Sequence, residues 1–136
     1  MADLSITANN VVPVAGATIK NGTAGATITA GQVVYLDSVD GKYKLADADS
    51  ATAAVRSPAG VALNGAANGQ PLAIASAGRV TIGATMTAGV AYYLSPNPGG
   101  IAPVADILTG DYPTIIGLAI STTVLDIKIH ESGVAL

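Results

Sequence analysis

Residues 25–38 read GATITAGQVVYLDS, and residues 83–96 read GATMTAGVAYYLSP. Gly25 matches Gly83, Gly31 matches Gly89, Tyr35 matches Tyr93 and Leu36 matches Leu94, at a constant offset of 58 (83 − 25) with no gap. Repetition at a fixed period sets the architecture, because each copy has to be one supersecondary unit. Two more blocks follow in the same order. Residues 41–47 (GKYKLAD) align with 100–106 (GIAPVAD) at an offset of 59, and residues 58–63 (PAGVAL) with 115–120 (IIGLAI) at 57. More loosely, residues 72–78 resemble residues 125–133. The chain therefore divides into an extended arm or edge strand at 1–20 and one β domain at 21–136. That domain holds repeat units at about 25–78 and 79–133. Two similar units in succession predict a pseudo-twofold pair, each giving half a barrel or one sheet of a sandwich.

Within the units, short apolar runs alternate with turn residues. The runs 32–37, 42–46, 59–63, 70–76, 78–83, 90–94, 101–105, 114–120 and 124–130 read as strands. Asp40-Gly41 marks a hairpin, Asn21-Gly22 marks a turn, and 95–100 (SPNPGG) is a broad turn. In the last strand Leu125, Ile127 and Ile129 point inward, while Asp126, Lys128 and His130 point outward. Pro103 places its strand at an edge. Residues 47–56 have some helical propensity but a poorly helical counterpart at 105–113, so both are expected to be loops or single turns. The fold class is all-β, a small sandwich, jelly roll or barrel.

Composition agrees. The chain has 136 residues, enough for one domain. Half are hydrophobic, yet Phe and Trp are absent, so Val, Ile, Leu, Ala and a few Tyr must build the core. Charge is sparse at 11%, against about a quarter in ordinary soluble domains. Interface cores are depleted of charge, so this surface is suited to meeting other proteins. With a net charge of −3 and no basic run, nucleic acid is not expected as a partner. No cysteine is present for disulfides, thiol catalysis or zinc. The polar start does not read as a signal peptide, and no apolar run approaches the roughly 18 residues of a membrane span.

Chemistry is thinly supplied. His130, the single histidine, is placed on an outward strand face with no nucleophile elbow to serve. Asp37, Asp40, Asp47 and Asp49 are oxygen-rich but lack the spacing of a calcium loop, and the first pair flanks a hairpin. No nucleotide-binding glycine loop occurs. No catalytic residue, metal ligand or cofactor is therefore assigned, and an enzyme is not expected. Val11, Val12, Pro13 and Val14 of the arm, with Tyr92, Pro96 and Pro98, are the candidate partner-interface residues. The arm is suited to strand addition. Tyr35 and Tyr93 read as core. Tyr92 has the opposite strand phase from Tyr93, which exposes one of the two.

The pattern G-x-x-[IM]-T-A-G-x-x-x-Y-L, the later G-V-A at 60–62 and the G-R-V at 78–80 resemble capsid decoration, or cement, proteins of tailed bacteriophages. Residues 92–103 (YYLSPNPGGIAP) also look like segments of phage tail and fibre modules. The resemblance covers most of residues 11–130 and implies a β-rich structural protein of the virion. It would be made in the bacterial host, oligomerise as a dimer or trimer, and bind the major capsid protein on the outer face of the shell. A tail, baseplate or fibre module with carbohydrate contact is the alternative. The resemblance supplies no catalytic residues.

Overall fold

A computed structural model describes residues 3–136; the first two residues of the arm lie outside the described part. The chain is all-β. Its strands are β1 (Val11–Pro13), β2 (Thr18–Thr23), β3 (Val33–Leu36), β4 (Tyr43–Leu45), β5 (Gly60–Ala62), β6 (Pro71–Ile82), β7 (Ala91–Leu94), β8 (Ile101–Pro103), β9 (Thr114–Ala119) and β10 (Val124–Glu131). They form one curled antiparallel sheet, a half-barrel, in the order β4-β3-β5-β6-β10-β9-β7-β8. Both β1 and β2 pair with β6. The segments 47–56 and 105–113 contain only short 3-10 turns, Ala53–Arg56 and Val104–Asp106. Pro103 sits in β8, at one end of the path, where a missing N–H costs no ladder bond.

The sheet is two copies of one five-strand pattern. Unit one has the order β4-β3-β5-β6-β2, using the first half of β6. Unit two has the order β8-β7-β9-β10-β6, using the second half. The strands read at 70–76 and 78–83 are thus one 12-residue strand shared by both units. Local hydrogen bonds repeat too. Gly31 N–H donates to Ala62 O at 2.8 Å, and Gly89 N–H donates to Ala119 O at 2.6 Å. Both glycines have positive φ (93° and 84°), which only glycine adopts without cost. The 58 offset continues through the hairpins, since Leu36 faces Tyr43 and Leu94 faces Ile101. Gly41 therefore corresponds to Gly99, with φ of 71° and 76°, and the one-residue slip read from the sequence does not occur there.

The two units do not bury the same face. A small core cluster in unit one contains Ala24, Ile28, Val34, Tyr43, Ala62, Leu72, Ile74 and Ala66. The counterparts of the first seven are Ile82, Met86, Tyr92, Ile101, Ala119, Leu125 and Ile127, and all belong to the main cluster. The main cluster also takes in Val33, Tyr35, Val61 and Ala75, from the opposite face of unit one. The inner strands of unit one, β3 and β5, are therefore buried on both faces, and the second face packs onto the first face of unit two. A twofold axis would have buried equivalent faces, so the pseudo-twofold expectation is corrected to a head-to-tail relation. Between the halves of β6 the register against β2 slips, with Thr18 opposite Ala77 and Ile19 opposite Ala75. Such a bulge reverses which side chains face inward. It lets Leu72 and Ile74 serve one cluster, and Val80 and Ile82 the other.

The same relation corrects the tyrosines. Tyr35 is buried as expected, but in unit two Tyr92 is core, and its hydroxyl accepts a 2.9 Å bond from Thr87 N–H. Tyr93 is the half-buried one. Asn21-Gly22 makes no turn. It lies inside β2 opposite Ala73 and Leu72, and Gly22 is needed because the Tyr43 ring occupies the space of its Cβ.

The seam between the ends of the path is closed by the 95–100 turn. Val33 N–H donates to Gly99 O at 2.9 Å, Gly99 N–H to Ala46 O at 2.7 Å, and Ala48 N–H to Ser95 O at 3.1 Å. Beside it, residues 3–7 fill a gap that unit one closes by itself. In unit one Gly25 N–H donates to Tyr43 O; in unit two the equivalent acceptor, Ile101 O, takes Leu4 N–H at 2.8 Å. Leu4 and Ile6 pack against the main cluster.

Acid titrates this seam. Burial raises the Asp47 carboxyl to about 6, helped by the hydrogen bond that its protonated form donates to the Asp49 carboxylate and by the charges of Asp49 and Asp111. The native state then holds this proton more tightly than the unfolded chain, whose carboxyl has the ordinary value of 3.8. Stability is gained below the folded value and lost as pH rises through it. The melting temperature should rise as pH falls from about 7 to about 5, and Asp47→Asn should flatten that slope. A melting temperature that falls over this range in the parent protein refutes the assignment. Asp37 and Asp40 work oppositely. Lys44 holds Asp37 below the usual value, and the Lys42 N–H does so for Asp40, so their contribution fades only in stronger acid.

Candidate binding face

Unit two leaves open the face that unit one buries. The counterparts of Val33, Tyr35, Val61 and Ala75 are Ala91, Tyr93, Leu118 and Lys128. Val61 is fully buried, whereas Leu118 is 46% exposed. Cross-strand register extends this face over five strands. One row runs Ile120, Val124, Thr81, Val12. The next runs Ala91, Leu118, Asp126, Arg79, Val14. A third runs Tyr93, Ile115, His130. Val12, Val14, Leu118 and Ile120 are exposed large apolar side chains gathered on this one side. A shallow groove lined by Ala91, Ile115, Leu118, Asp126, Lys128 and His130 crosses it.

Strand phase decides which arm residues reach this face. Val12 and Val14 do, while Val11 points inward, is 7% exposed and belongs to the main core. Val11 is therefore not an interface residue of the folded chain, and neither is Tyr92, for the reason of phase given above. Pro13 is half-buried opposite Val80. Pro96 is half-buried and Pro98 exposed, on the turn that clasps the units. That turn is held from within: Ser95 Oγ donates to Asp3 Oδ1 at 2.7 Å, and Asn97 Nδ2 to Asp3 Oδ2 at 3.2 Å. The arm pairs with β6 of its own chain, and β2 continues across the boundary drawn at residue 20. What the sequence did not reveal is the contribution of Leu118 in β9. Its exposure follows only from the head-to-tail relation.

The acidic residues singled out in the sequence stand in two separate places. Asp37 and Asp40 both engage Lys44, at 2.7 and 3.1 Å, in a hairpin clamp. Asp47 and Asp49 lie apart from them, at the seam. Among the described residues no group of three or more His, Asp or Glu is placed to hold a metal ion. His130 is exposed on the open face beside Ile115. The open face thus combines apolar side chains with charges of both signs, from Asp126, Arg79 and Lys128. No family model matches the chain, and no curated protein matches it significantly.

Proposed function

We propose that this is a structural protein of a tailed-phage virion. It binds the outer surface of the capsid, with the major capsid protein as partner, and stabilises the shell by bridging neighbouring capsomers. The observation that carries the reading is the open face of unit two. At Ala91, Tyr93 and Leu118 it keeps apolar side chains where unit one is covered, so covering it removes apolar surface from water, while Asp126, Arg79 and Lys128 on the same face call for charged partners across the interface. The resemblance in the glycine-led blocks supports the placement on a capsid. Many copies, each with a modest interface, resist separation of the shell through multivalency.

Purified protein should co-sediment with mature capsids that lack it and raise their melting temperature. Leu118→Asp, which places a charge at the centre of the face, should weaken that binding at least tenfold while the variant's own melting curve stays within a few degrees. No binding to capsids, together with full heat stability of virions without the protein, overturns the reading.

A further inference from the structure

A glycine that follows asparagine opens a reaction within the chain. Its backbone nitrogen can attack the asparagine side-chain carbonyl, because no Cβ crowds the approach. The sequence holds three such pairs, Asn21-Gly22, Asn64-Gly65 and Asn68-Gly69, and one aspartate counterpart, Asp40-Gly41. The fold treats the four differently.

Three of them are restrained. Asp40 is held as a carboxylate, a poor electrophile, by the Lys42 N–H at 3.0 Å and by Lys44 at 3.1 Å. Asn64 is pinned through both atoms of its amide. Its Nδ2 donates to Gly65 O and Pro71 O at 3.0 and 3.2 Å, and its Oδ1 accepts from Ala73 N–H at 2.7 Å. Asn21 lies in β2 opposite Ala73, and Gly22 lies against the Tyr43 ring. Attack there requires the backbone to leave its extended form, which would unzip β2 from β6 and lift Gly22 from that ring.

Asn68 has none of these restraints. It is exposed, and among the described residues no hydrogen bond reaches its side chain. Gly69 has open space around it, with nothing within 4 Å of a Cβ built there. Residues 67–70 form a turn, closed by Gln70 N–H to Ala67 O at 3.0 Å, with Gly69 at a φ of 89°. One long-range bond, from Gly69 N–H to Ala24 O at 2.8 Å, has to open before the nitrogen can turn onto the side chain. An exposed turn opens at a much lower free energy than a strand inside a sheet.

We propose that Asn68 is a site of spontaneous deamidation, the first in the folded chain to react. The Gly69 nitrogen forms a bond to Asn68 Cγ, its proton passes to the leaving amide, and ammonia departs as the Cγ–Nδ2 bond breaks. Water then opens the resulting succinimide at either carbonyl, giving aspartate or isoaspartate. Both products add a negative charge. Isoaspartate also adds one carbon to the main chain of a turn tied to Ala24, a buried member of the small cluster. Asn68 lies in unit one and the open face in unit two, so the assignment is independent of the capsid reading.

The folded protein should be held in warm, mildly alkaline buffer, then digested and read by mass spectrometry at intervals. Fragmentation of the 57–79 tryptic peptide separates Asn64 from Asn68. The mass gain of deamidation should appear at Asn68 about tenfold faster, or more, than at Asn64 or Asn21. In urea the three rates should converge, because the restraints are gone. Asn68→Ala should remove the fast reaction and leave the slow ones. Reaction that starts at Asn21 or Asn64, equal rates in the folded chain, or an Asn68 that stays intact while the unfolded chain reacts overturns the proposal. The time course of the unaltered chain decides the matter even where the variant fails to fold.

Discussion

Leu94→Ala should lower stability by about 2–5 kcal/mol, and Leu36→Ala, at the matching position of the other repeat, by less than about 0.5 kcal/mol. The two leucines close the same strand of the same motif. Leu94 is fully buried between the units, so its loss removes transfer energy and leaves a cavity that a shared core cannot easily fill. Leu36 is 49% exposed at the end of β3, and its truncation leaves no void. Urea denaturation with an unchanged m-value reads both losses directly. Two units related by a twofold axis would lose equally, so equal losses would refute the head-to-tail packing. The expected gap, at 298 K, is a factor of ten or more in the unfolding equilibrium.

How far the sequence carried depended on how many faces each strand buries. In β10 one face meets solvent, and Leu125, Ile127 and Asp126 alternate as a period of two requires. In β3, Val33, Val34 and Tyr35 are all buried, because unit one lies between two clusters. A strand covered on both sides shows no alternation, so its sequence carries no sign of which face meets the other unit. That silence hid the head-to-tail relation, and with it the fates of Tyr92 and Leu118. The strand set and the repeat were legible because turn residues and the 58-residue offset are local signals. β6 was split in reading because Gly78 looks like punctuation. Its φ of 92° instead accompanies the bulge that turns one strand from one cluster to the other. Asn21-Gly22 failed for a similar reason: the glycine answers a ring stacked on it from a strand 21 residues away, which no short window contains. The binding face was half legible. Val12 and Val14 stood out as apolar residues in an arm, and the β9 contribution awaited the packing.

Gly60→Ala and Gly117→Ala should each cost roughly 2–4 kcal/mol, although alanine normally favours a strand over glycine. These residues occupy the same place in the two repeats, opposite Val34 in β3 and Tyr92 in β7. A Cβ on Gly60 would meet the Ala75 carbonyl, and one on Gly117 the Asp126 carbonyl. A flexible side chain can swing away from such a contact, but these carbonyls belong to strands held on both edges. Relief requires the sheet to open locally. Gly89→Ala is the informative contrast: nothing lies within 4 Å of its Cβ, so only the left-handed backbone, at about 1–2 kcal/mol, opposes it. The double variant at Gly60 and Gly117 tests the shared core as well. Val61 and Ala75 of unit one lie in the same cluster as Leu94 and Leu125 of unit two, so the units should unfold in one transition, with losses that add within about 0.5 kcal/mol. Two separate transitions would mean that each unit holds a core of its own, and losses within experimental error of zero at both glycines would mean the strands are less closely packed than described.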